Sequence, residues 1–270
     1  MVQFGARVLS VWLMCACLGS HSASLHAAGQ SRRTLDETGL GQVPAAVVRA
    51  TRHAELGHHD AVVALIGERG VMCSGVLVHP RVILTARHCG AARQVVFGAD
   101  AREPRLSRNV LDWRAPPNPA LDVALALIEA VQVQPYPIRA AAPDEARRVR
   151  VVGFGVRRHD DARSGGRRSY FDVSLRRATC DHATAATTGC LPGLELLIPR
   201  SAGADSCSGD SGGPVLERHE GGWRTVAITS RSVSRALLPC GDGGIYVRTD
   251  AIASWLERQL EGITSEESHD

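Results

Sequence analysis

Three stretches of this chain hold side chains whose types and spacing suit one piece of chemistry. Thr85-Ala86-Arg87-His88-Cys89 closes an apolar run and follows Cys73-Ser74-Gly75. Asn118-Pro119-Ala120-Leu121-Asp122-Val123-Ala124-Leu125 puts an acid at the mouth of another apolar run. Asp205-Ser206-Cys207-Ser208-Gly209-Asp210-Ser211-Gly212-Gly213-Pro214 completes the set. A serine hydroxyl is a weak nucleophile at neutral pH and needs a base to take its proton as it attacks an acyl carbon. A histidine side chain can accept and return a proton near neutrality. A carboxylate behind the ring fixes the tautomer and stabilises the transient imidazolium. Alone, a His or Asp beside a strand is usually structural. His88, Asp122 and Ser211 together point to acyl transfer.

These residues can act as a unit only if the chain folds them into one place. From Asp60 onward, short β-type runs alternate with turns, at 61–66, 71–78, 82–85, 94–97, 123–128, 149–154, 170–175, 214–216, 225–229 and 245–247. Many short strands at this spacing predict an all-β sandwich or barrel rather than β-α-β units. One helix is expected over 251–261, capped by Asp250, with Ile252, Trp255, Leu256 and Leu260 on one face and Gly262 as a left-handed stop. The acidic tail over 263–270 reads as frayed.

The N-terminus carries one cation, Arg7, then an apolar run from Val8 to Leu18 and small residues to Ser24. That order reads as a secretory signal over 1–24, with export to an extracellular or periplasmic space. The run is about half the ~20 residues of a membrane-spanning helix, so no span is expected. Lipid attachment at Cys17, after Ala16, is a weaker reading because Met14 opens such a motif poorly. Residues 25–46 read as a pro-segment or linker. Cys15 and Cys17 leave with the signal, and the even set Cys73, Cys89, Cys180, Cys190, Cys207 and Cys240 fits disulfides in an oxidising compartment. Their connectivity stays open at this level. No C-x-x-C pair occurs, and His53, His58 and His59 have no carboxylate ladder, so no metal is expected.

The three segments resemble the trypsin/chymotrypsin family of serine proteases, over about Val47 to Leu260. Gly-Asp-Ser-Gly-Gly-Pro at 209–214 is the most specific part, the histidine-cysteine pair is next, and the Asp122 segment gains weight from its place in the order. The resemblance implies two six-stranded antiparallel β-barrels, about 47–140 and 141–250, in a protease domain over 47–262 with its site in the cleft between them. It implies a serine endopeptidase that acts through an acyl-enzyme, as a monomer without a cofactor, on protein or peptide substrates, and that a protein inhibitor can block. His88 would be the base, Asp122 its orienting acid and Ser211 the nucleophile. The backbone N–H groups of Gly209 and Ser211 would form the oxyanion hole.

Asp205, six residues before Ser211, matches the acid with which trypsin-like members select Arg or Lys. Ser230, Ser232 and Gly244 fall on the walls of that specificity pocket. Arg231 stands where the family usually has Trp, and Ser232 where it has glycine; an Arg there favours acidic residues upstream of the cut. The family pairing is Cys73 with Cys89, Cys180 with Cys190, and Cys207 with Cys240. Family zymogens are cut to free an ammonium that buries against the acid before the serine, here Asp210. Val47 and Val48 are the candidates for that new terminus. Arg49-Ala50 replaces the usual glycine pair and no Arg or Lys precedes the valines, so activation calls for a non-tryptic protease. The alternative is a zymogen-like homologue that binds without catalysing.

Composition narrows the field further. Hydrophobic residues at 44% and charged residues at 22% exclude a disordered chain, and aromatics at 4% leave an aliphatic core. All 31 cations are Arg, yet the net charge is only +3, too mild to expect a nucleic-acid partner. Residues 147–177 hold ten Arg against Asp160, Asp161 and Asp172. This run reads as a solvated face with a loop open to self-nicking, and less readily as an anion exosite for sulfated glycans. The loop from Gly98 to Pro104 is too short to expect bound calcium.

Overall fold

Val62-Val63-Ala64-Leu65 and Val82-Ile83-Leu84-Thr85 are unbroken runs with every residue buried. Strands covered on both faces read this way. Their side chains alternate between two cores. Val63, Leu65 and Ile83 point into the barrel with Phe97 and Ala126. Val62 and Ala64 meet Val152, Phe154 and Leu216, while Val82 and Leu84 meet Ile228, Val247, Trp255 and Leu256.

The computed structural model describes residues 52–53, 58–143, 147–158, 160–175, 180–238 and 240–267. The signal and pro-segment expectations, Val47, Val48, Arg176, Arg177 and the last three residues lie outside them. The strands are β1 (Arg52–His53), β2 (Val62–Gly67), β3 (Gly70–His79), β4 (Val82–Thr85), β5 (Gln94–Phe97), β6 (Leu106–Asn109), β7 (Asp112–Arg114), β8 (Ala124–Leu127), β9 (Arg148–Gly153), β10 (Ser169–Ser174), β11 (Glu195–Pro199), β12 (Pro214–His219), β13 (Gly222–Ser232) and β14 (Gly243–Arg248). Two helices, α1 (His182–Thr188) and α2 (Ala253–Glu267), complete the set.

Two antiparallel sheets result, ordered β6-β5-β2-β3-β4-β8-β7 and β1-β10-β9-β12-β13-β14-β11. In the first, the segment 106–114 bends at Val110 and pairs with β5 through its first half and with β8 through its second. That one segment joins both edges and curls the sheet into a barrel. In the second, β1 adds a short edge strand to β10, with Arg52 opposite Tyr170. Ile252, just before helix α2, and Leu256 and Ile263 within it lie over residues from both sheets.

The helix corrects the expected ends. It starts at Ala253 and continues through Gly262 to Glu267, past the expected 251–261. The Asp250 carboxylate is held by the Arg248 guanidinium instead of capping the helix. Ile263, only 2% exposed, keeps the chain helical beyond the glycine because its burial needs that geometry. No described helix is long and apolar enough to cross a membrane.

His59 joins the two halves. Arg150 lies 3.3 Å from its Nε2 and can only donate, so the ring proton sits on Nδ1, 3.1 Å from the Tyr136 hydroxyl. Burial, then the Arg150 charge, lowers this histidine to about 3 and keeps it neutral.

Candidate active site

Strand β4 ends at Thr85, and the chain turns through a single 3-10 turn, Arg87–Cys89. The Thr85 hydroxyl donates to the Ser74 carbonyl at 2.7 Å, and Cys73 is disulfide-bonded to Cys89, so the turn is tied to β3 on both sides of His88. His88 itself is exposed. Asp122 comes from the segment leading into β8, between buried Leu121 and Val123. The Arg87 guanidinium donates to the Pro116 and Asn118 carbonyls, and Ala120 N–H donates to Asn118 Oδ1 at 3.0 Å, shaping the loop that delivers the acid.

The two side chains meet. Asp122 Oδ2 lies 2.9 Å from His88 Nδ1, and Oδ1 accepts the His88 backbone N–H at 3.1 Å. Ser230 donates its hydroxyl to the same Oδ2 at 2.6 Å. Burial works to raise the Asp122 carboxyl, but the hydrogen bonds from the His88 ring and Ser230 outweigh it and hold the group at about 2. An ionised Asp122 requires the proton on Nδ1, which leaves the Nε2 lone pair for chemistry.

Ser211 reaches this place from the other sheet. Ser74 N–H donates to the Ser211 carbonyl at 2.8 Å, and Cys89 Sγ lies 3.9 Å from the same oxygen. The next residue, Gly212, has φ +81°, and a Cβ there would come within 2.0 Å of Thr85 Oγ1. Only glycine allows the serine turn to press so closely on β4. Among the described contacts the Ser211 hydroxyl makes no hydrogen bond to the His88 ring; such bonds often tighten only when substrate binds. Neither Gly209 N–H nor Ser211 N–H donates to another backbone group among the described residues, so both remain free for a ligand. Ser74, which the sequence reading passed over, holds the Gly209 carbonyl at 2.7 Å while accepting Phe154 N–H at 2.9 Å. Beside Gly209 opens a cleft of about 740 Å³ lined by Ile66, Val71, Met72, Phe154 and Val156.

Asp205 is 3% exposed. Its Oδ2 accepts Gly241 N–H at 2.9 Å and Gly243 N–H at 3.1 Å, and Oδ1 accepts Ser206 N–H at 2.8 Å. Burial raises its carboxyl, and the backbone donors oppose that. No cation reaches it among the described residues. Gly244 lies directly against it and pairs with Ser232 across β13 and β14. The disulfide Cys207–Cys240 closes this region, and Cys180–Cys190 closes the loop that contains α1. Ser230, expected on the pocket wall, turns its hydroxyl to Asp122.

Asp210 accepts Gly155 N–H at 2.8 Å and Cys207 N–H at 2.9 Å. The residue keeps some surface, yet its carboxylate is packed so tightly that a Cβ on Gly153 would come within 2.2 Å of Oδ1. Burial pushes this group up to about 6, and no cation meets it among the described residues.

Two sets of arginine contacts bear on the sequence expectations. The Arg231 fork is held by the buried Glu195 carboxylate, at 2.6 and 2.9 Å, while the side chain stays exposed. In the Arg-rich stretch, Arg150 pairs with Asp172, Arg158 with Asp160 and Arg168 with Asp60. Of these, only the Arg168 side chain is fully buried, and the Arg158 pair is exposed.

The trypsin family model matches residues 48–256. A venom plasminogen activator from Gloydius brevicauda is 25% identical over 78% of this chain and 86% of its own. Acutin, a thrombin-like enzyme from Deinagkistrodon acutus, is 25% identical over 78% of this chain and 94% of its own. The fold matches neuropsin, a serine protease of mouse brain, with a TM-score of 0.64 at 20% identity, over 78% of this chain and 98% of that one. With a family model spanning most of its length and a chymotrypsin-like pair of curled sheets, this chain belongs to the trypsin family and is a serine endopeptidase.

Proposed function

We propose that the chain is an exported, trypsin-like endopeptidase that cleaves proteins after Arg or Lys through an acyl-enzyme. Nε2 of His88 takes the Ser211 proton as Oγ bonds to the acyl carbon, and Asp122 stabilises the imidazolium. The oxyanion that forms is met by the Gly209 and Ser211 N–H groups, each worth about 3 kcal/mol in such sites. His88 then gives the proton to the leaving amine, and water reverses the sequence to free the acid. The leaving segment occupies the cleft beside Gly209.

The observation that carries the specificity is the enclosed Asp205 carboxylate, served by backbone donors but by no cation among the described residues. A buried carboxylate in that position gains most from a guanidinium or ammonium brought by the substrate. Activation follows a cut that frees Val47 or Val48, whose ammonium meets Asp210; the family match beginning at 48 supports that position. Export by the 1–24 signal supplies the oxidising compartment that the three disulfides need. The enzyme acts as a monomer and is open to protein inhibitors.

The test is a fluorophosphonate probe on secreted, processed protein, followed by arginine and phenylalanine anilides. Labelling that disappears in Ser211→Ala, with turnover confined to the arginine substrate, is the expected result. A processed chain that takes no probe would refute the catalytic reading, and equal turnover of both anilides would refute the specificity.

A further inference from the structure

Strand β11 opens with Glu195, whose side chain is fully buried. A buried carboxylate is costly unless both oxygens are paired. Here Oε1 takes Arg231 Nη1 at 2.6 Å, and Oε2 takes Arg231 Nη2 at 2.9 Å and the Leu191 N–H at 2.7 Å. Arg231 has donors left over. Nη2 also reaches the Gly189 carbonyl at 2.9 Å, at the end of α1, and Nη1 lies 3.2 Å from Ser230 Oγ.

That last contact constrains the hydroxyl. A guanidinium has no lone pair, so Ser230 Oγ accepts from Nη1 and its own hydrogen must go elsewhere. It goes to Asp122 Oδ2 at 2.6 Å, the oxygen that also faces the His88 ring. An unbroken line of hydrogen bonds therefore runs from Glu195 through Arg231, Ser230 and Asp122 to His88. We infer that the Arg231–Glu195 ion pair directs the Ser230 hydroxyl onto Asp122 and through it fixes the His88 ring, making Arg231 a positioning residue for acyl transfer. The inference rests on the catalytic reading of His88, Asp122 and Ser211 given above. It also assigns Arg231 a role other than selecting acidic substrates: its fork is held by Glu195, the Gly189 carbonyl and Ser230.

The test replaces the pair by apolar residues of similar volume, Glu195→Leu with Arg231→Met, an exchange that buried ion pairs often tolerate without loss of stability. On a small arginine anilide, kcat is expected to fall about tenfold with KM unchanged, the signature of a mispositioned catalytic group. The His88 Nδ1 proton resonance should shift in step. In a Ser230→Ala background the same exchange should cost nothing more, because the line is already broken at Ser230. Arg231→Lys keeps Glu195 neutralised while removing the fork, so it should lower kcat although the fold is untouched. Unchanged kcat in both Arg231→Lys and the paired exchange, with the parent labelled by fluorophosphonate, overturns the inference alone. A processed parent that takes no probe overturns the catalytic reading and the inference with it. A full additional loss in the Ser230→Ala background would also overturn it, since Arg231 would then act by another route.

Discussion

A methyl group built on Gly244 would come within 2.7 Å of Asp205 Oδ1 and equally close to the Tyr246 hydroxyl. Both neighbours are buried, and neither is the loose end of a flexible chain. Gly244→Ala must therefore displace the carboxylate or bend β14. Cleavage of arginine anilides is expected to fall by about 10²-fold in kcat/KM, the scale of an ångström's misplacement. A small fluorophosphonate, which does not depend on Asp205, should still label Ser211.

Asp205→Ser removes the charge while keeping a group for the Gly241 and Gly243 donors. Loss of one partner of an enclosed charge pair is worth about 2–5 kcal/mol, or roughly 30- to 5,000-fold in kcat/KM for arginine substrates. Uncharged substrates should lose little. A peptide library would display the change directly, and an unaltered arginine preference would place the selecting group elsewhere.

Asp122→Asn keeps the shape but loses the charge that holds the ring proton on Nδ1. In well-studied members of this family that exchange costs ~10⁴ in kcat, and the same order is expected here. Asparagine can keep its one oxygen on the His88 backbone N–H and turn its NH2 toward the ring and the Ser230 oxygen, so the fold should survive, which a thermal melt would verify.

Asp210 makes the uncut chain sensitive to pH. Its carboxyl is pushed up to about 6 in the fold, above its ordinary value, so the native state holds a proton that the unfolded state releases. Stability is full below the ordinary carboxylate range and is lost as pH rises through about 6. The loss is of order 2–3 kcal/mol. Urea unfolding of the Ser211→Ala proform at pH 4 and 7.5 should reveal it, and Asp210→Asn should abolish it. In the proposed activated form, an ammonium at Asp210 would reverse the sign by favouring the charged form.

Gly212→Ala tests how tightly the serine turn is set. The new Cβ would meet both Thr85 Oγ1 and the Ser74 carbonyl, at a left-handed φ that L residues avoid. A destabilisation of about 3 kcal/mol or more is expected in urea unfolding.

Much of the fold was legible because apolar runs in tight barrels are short, dense and bounded by turns. The run at 82–85 coincides with β4, and that at 94–97 with β5. Strand β6 escaped notice because Leu106-Ser107-Arg108-Asn109 is mostly polar and owes its conformation to pairing with β5. Helix α1 escaped because none of its residues is buried; the Asp181–Thr184 capping box and the left-handed Gly189 were its local signals. Helix α2 outran Gly262 because a buried Ile263 outweighs a local stop signal.

The chemistry of the site was written in residue types: a serine between glycines, a histidine beside a cysteine, an acid at a strand mouth, each with a role that follows from its functional group. Sequence order also named the acids at 205 and 210. What only the folded chain decided is which partner each polar group takes. The Ser230 hydroxyl goes to Asp122, the Arg231 fork to Glu195 and the Ser74 hydroxyl to the Gly209 carbonyl. Those choices span 36 to 135 residues of chain. They are settled by the need of buried donors and acceptors to be paired after two sheets close around them, a demand no local pattern records.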